Sequence, residues 1–79
     1  MKLIAITITQ EHTLEMQNIS DKLREIGLNI TAVLQNTNVI LGECDELVVC
    51  KIEEYAENNK DEIKFVEVDI PSQRFIVWN

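Results

Sequence analysis

Apolar and polar positions alternate along residues 2–9, with Ile4, Ile6 and Ile8 on one side and Ala5, Thr7 and Thr9 on the other. A period of two is the mark of a strand with one buried face. The period then changes. Met16, Ile19, Leu23 and Ile26 recur at threes and fours, which stacks them in one stripe of a helix beginning near Thr13. Thr13 is placed to cap that helix, Glu15 suits the positive end of its dipole, and Gly27 supplies a left-handed stop.

Residues 28–35 return to alternation, with Ile30, Ala32 and Leu34 on one face, and Asn36, Thr37 and Asn38 form a polar turn into the next strand. That strand, residues 39–44, turns Ile40 and Cys44 inward. Gly42, which has no side chain, marks a bulge or a close helix approach. Asp45 is a natural N-cap for a second helix whose Val48, Val49, Ile52, Tyr55 and Ala56 make a buried stripe, leaving Lys51, Glu53, Glu54 and Glu57 in water. Asn58, Asn59 and Lys60 end it. Residues 63–70 alternate again, with Val66, Val68 and Ile70 on one face and Phe65, Glu67 and Asp69 on the other. Pro71 cannot donate to a ladder and closes this strand, so residues 72–79 form a separate tail or an extra strand.

The order strand, helix, strand, strand, helix, strand, with two right-handed crossovers, predicts a ferredoxin-like βαββαβ sandwich of the α+β class. Its four-stranded antiparallel sheet has the order 4-1-3-2, both helices cover one face, and the domain spans residues 1–71. The helix-free face is expected to carry Ala5, Thr7, Thr31, Val33, Phe65 and Glu67, a mixed surface that can take a partner or a second copy of the chain.

A chain of 79 residues holds one core, and at this size folding buries only about 60% of the surface of the unfolded chain. Nearly half of the residues are apolar and only four are aromatic, so aliphatic packing carries the stability. Seven Lys and Arg stand against fourteen Asp and Glu, a net charge of −7 that repels phosphate backbones and anionic lipid. Neither nucleic acid nor membrane is an expected partner. The apolar start is broken by Thr7, Thr9 and Glu11 before a signal or membrane span is complete. Cys44 and Cys50, six apart, suit neither a zinc knuckle nor a redox pair and read as reduced, half-buried fillers. The absence of a disulfide framework and of an export signal points to the cytosol.

Candidate chemistry is sparse. His12, the single histidine, has no serine or cysteine nucleophile near it in sequence. Glu43, Asp45 and Glu46 lack the oxygen-rich pattern of a calcium loop and fit capping and solvation, while Gly27 and Gly42 stand apart from any phosphate loop. No catalytic residue, metal ligand or cofactor is expected. Enzymes of the acylphosphatase type need an arginine in the first loop, which reads Thr9-Gln10-Glu11-His12, and metal-transport domains need a Cys-x-x-Cys there. Amino-acid-sensing regulatory domains resemble residues 19–30 but carry a Pro-Gly before the first helix that is missing here.

Three pieces carry a positive resemblance: Leu23-Arg24-Glu25-Ile26-Gly27-Leu28, Val39-Ile40-Leu41-Gly42-Glu43-Cys44-Asp45, and Ile63-Lys64-Phe65-Val66-Glu67-Val68-Asp69. Together they make residues 23–69 similar to the propeptide-like inhibitors of subtilisin-type serine proteases, in particular to short free-standing bacterial members. The resemblance implies a non-catalytic protein-binding module, an inhibitor or folding chaperone of such a protease. In that family the open sheet face lies against the protease and the segment after the last strand enters the cleft. Carried over, Glu67 and Asp69 become surface contacts and Ile70 opens the inserted strand. Phe75, Ile76, Val77 and Trp78 follow as further protein-binding residues, either in the protease or folded back as a fifth strand or paired with another chain. The alternative function is a small-ligand-sensing regulatory or oligomerisation domain.

Overall fold

The computed structural model describes residues 2–68, and in it the opening alternation becomes β1 (Lys2–Ile8). The next element differs from expectation at its start. A 3-10 helix, Gln10–Glu15, precedes α1 (Met16–Ile26), and Thr13 falls inside it. The Thr13 hydroxyl lies 2.9 Å from the Gln10 carbonyl and 3.0 Å from Asn38 Oδ1, so it caps nothing. The tight 3-10 turn brings the Gln10 carbonyl within reach, and the turn between the second and third strands brings the Asn38 side chain. Glu15 takes the N-cap position and makes no side-chain cap bond. The other end of α1 is as expected. Gly27 has φ +124°, its N–H reaches the Leu23 and Arg24 carbonyls, and the Leu28 N–H donates to Leu23 at 3.0 Å. A Cβ there would also stand 3.0 Å from Val48 Cγ2, so packing as well as conformation asks for glycine.

Strands β2 (Asn29–Leu34) and β3 (Val39–Cys44) form the hairpin, joined by a 3-10 turn at Gln35–Thr37 and by Asn38 at φ 58°. The second helix, α2 (Glu46–Asn58), begins as predicted. Asp45 accepts from the Val48 N–H at 3.0 Å, an N-cap bond worth about 1 kcal/mol. The last described strand, β4 (Ile63–Val68), returns antiparallel along β1. The sheet runs β2-β3-β1-β4, every pairing antiparallel, and two helices pack against it: an α+β ferredoxin-like sandwich. The expected domain boundary at 71 and the tail 72–79 lie outside the described residues.

The core fills the space between sheet and helices. Ile4, Ile6, Ile8, Ile40 and Ile63 come from strands, Met16, Ile19, Leu23, Val49 and Ile52 from helices, and Leu28 and Cys44 close the margins. Each such aliphatic side chain contributes about 1.5–3 kcal/mol on burial. Burial also pushes the Cys44 thiol pKa up, with Asp45 adding to the effect, which suits an inert filler. Cys50 corrects an expectation, being exposed on α2 off the Val49–Ile52 stripe rather than half-buried.

The hairpin register brings the main correction. Ile30 pairs with Gly42, but Ala32 pairs with Leu41 and Val33 with Ile40, so one residue of β2, Thr31, has no opposite number. A bulge of this kind rotates everything beyond it by one position. Ile30 and Val33 therefore pack on the core, while Ala32 and Leu34 join the opposite face. Ile30, Ala32 and Leu34 do not share a side, and Val33 is not on the helix-free face. The bulge sits across from Gly42, where an added Cβ would lie 2.8 Å from Leu28 Cδ1 and 2.9 Å from the Asn29 carbonyl. What approaches Gly42 is the segment entering β2, not a helix.

Both edge strands are interrupted. The bulge marks β2, and in β4 the register shifts between Thr7 and Ile8, where Phe65 and then Ile63 are the partners and Lys64 is skipped. Bulges and an edge lysine discourage strand addition by another chain.

Candidate functional site

Two regions gather side chains that the core does not use. The first is the end of the sandwich where β1 runs into the 3-10 helix. The Ile8 N–H donates to the Asn38 carbonyl at 2.7 Å and the Thr9 N–H to Glu62 at 2.8 Å, so three loops are tied together there. This brings His12 to partners that are far away in sequence. Thr9 Oγ1 lies 2.9 Å from His12 Nδ1, and His12 Nε2 lies 4.0 Å from the Asp61 carboxylate.

A hydroxyl, an imidazole and a carboxylate in a row have the composition of a nucleophilic triad, but the protons run the wrong way. The Thr9 hydroxyl donates its one proton to the Asp61 carbonyl at 2.7 Å. Nδ1 must then carry a proton and donate to Thr9 Oγ1, and an Nδ1–H imidazole cannot deprotonate that hydroxyl. The cluster is a clamp between the first loop and the α2–β4 loop. Beside it the Tyr55 hydroxyl donates to Glu62 Oε1 at 3.1 Å. Burial, then the bond to Glu62 and its charge, push the Tyr55 pKa up to about 12. Among the described residues no group of three or more His, Cys, Asp or Glu side chains is arranged to hold a metal ion.

The second region is the sheet face away from the helices. Because Ile4, Ile6 and Ile8 point into the core, Leu3, Ala5 and Thr7 point the other way. Their cross-strand partners join them: Glu43, Leu41 and Val39 from β3, and Glu67 and Phe65 from β4. The bulge adds Ala32 and Leu34 from β2. The result is more apolar than the expected mixed surface. Leu3, Leu34, Val39 and Leu41 form a continuous strip bordered by Glu43, Glu67 and Thr7, and all of them are half-buried. Phe65 is 47% exposed. Ala5 is 2% exposed although it belongs to this face and not to the core cluster. Strand spacings give the face about 20 Å by about 19 Å, roughly 400 Å². That area is the whole face, of which the apolar strip is only a part beside Glu43, Glu67 and Thr7.

Of the residues expected to bind protein, Glu67 lies on this face, opposite Ala5. Asp69, Ile70, Phe75, Ile76, Val77 and Trp78 lie outside the described residues. Leu3, Ala32, Leu34, Val39 and Leu41 were missing from the expected surface. The alternation of Val39, Leu41 and Glu43 against Ile40 and Cys44 carried the signal for β3, whereas nothing local announced the bulge that turns Ala32 and Leu34 outward. Glu43 stands on the helix-free face, apart from Asp45, whose carboxylate is spent on the α2 cap.

A shallow groove between α2 and β4, floored by Ala56, Ile63 and Val66, is bordered by Glu57 and Lys60, which pair at 3.0 Å. Exposed pairs of this sort contribute little and offer no specific charge to a ligand. Among the described residues no helix is long and apolar enough to cross a membrane. Comparison with protein-family models, with curated proteins and with solved structures returns no match to this chain.

Proposed function

We propose that the domain is a non-catalytic protein-binding module that lays its helix-free sheet face against a subtilisin-like protease, with the segment that follows β4 entering the cleft. The observation behind this reading is the continuity of the apolar strip with the end of β4. Glu67 is on the face, Val68 pairs with Ile4 beside it, and the chain continues from there. The face alone offers roughly 400 Å², half of the ~800 Å² that each partner gives to a stable interface. The face and the following segment together come closer to that size, which is why both are assigned to the same contact. A segment held by a folded domain also loses less freedom on binding than a free peptide. The orientation of the Thr9–His12–Asp61 protons supports a role without chemistry of its own.

Residual hydrolysis of a small peptide substrate by subtilisin, measured with the domain at micromolar concentration, tests the reading. Slowing that is lost in Leu41→Glu is expected. An unchanged rate removes the protease from consideration.

A further inference from the structure

We draw no further inference here: the strongest candidate, the apolar strip of Leu3, Leu34, Val39 and Leu41 on the helix-free face of the sheet, belongs to the surface already described, and nothing among the described residues shows what covers it.

Discussion

The two faces of the sheet are made by the same four strands and differ in what lies over them. On the helix side Ile4, Ile6, Ile8 and Ile40 are each exposed by 1% or less, roofed by Met16, Ile19 and Leu23 from α1 and by Val49 and Ile52 from α2. On the other side Leu3, Val39 and Leu41 stop at half-buried and Phe65 reaches 47% exposure. Both faces are apolar at their centres, so hydrophobicity alone does not distinguish them. One face satisfies its need for cover within the described domain, and its residues are there for stability. On the other face no helix of the described domain covers the apolar side chains, so they add less to stability than those of the core.

The widest separation between the faces should come from paired truncations. Ile6→Ala is expected to lose about 2–5 kcal/mol of unfolding free energy, because a fully buried aliphatic leaves a cavity. Leu41→Ala, removing a half-buried side chain, should lose about 1 kcal/mol, since only part of the ~1.5–3 kcal/mol of a full burial is at stake. Urea unfolding of both variants measures the difference, and equal losses would erase the distinction between the faces. Next in size is Gly42→Ala, whose methyl enters the helix side against Leu28 and the Asn29 carbonyl. Overpacking of this kind costs about 1–3 kcal/mol, and a neutral result would mean that the Leu28 contact yields freely.

At the margin of the helix side, Tyr55→Phe should lose about 0.5–1.5 kcal/mol at neutral pH with the bond to Glu62. Its sharper signature is in alkali. The pKa of Tyr55 is raised in the fold, to about 12, above an unfolded value of about 10. The folded state therefore holds the proton more tightly, and the stability this confers is complete below the unfolded value and lost as pH rises through the folded one. Thermal melts between these limits should fall less steeply in the phenylalanine variant. The smallest effect is expected at Ser20, fully buried on α1 with an Oγ that has no hydrogen-bond partner among the described residues. Ser20→Ala removes an unsatisfied hydroxyl and should be neutral or slightly stabilising. A clear loss of stability would reveal a partner for that hydroxyl.

What the amino-acid sequence determined on its own was most of what depends on neighbours a few residues apart. The period of two at Ile4, Ile6 and Ile8, the period of 3.6 at Met16, Ile19 and Leu23, the Asp45 cap and the Gly27 stop all act over one turn or one pleat, and all stand in the fold. Strand order followed as well, because alternating short elements leave few ways to cover a sheet. Tertiary structure alone decided three further matters. It turned Ala32 and Leu34 away from the core, since a bulge depends on the strand opposite and on the tight fit of Leu28 over Gly42. It brought the Asn38 side chain to the Thr13 hydroxyl, which faces it and the Gln10 carbonyl instead of capping a helix. And it brought His12 to Thr9 and Asp61, a meeting between loops about fifty residues apart in the chain, because hydrogen-bond partners are chosen by proximity in space, which local pattern does not encode.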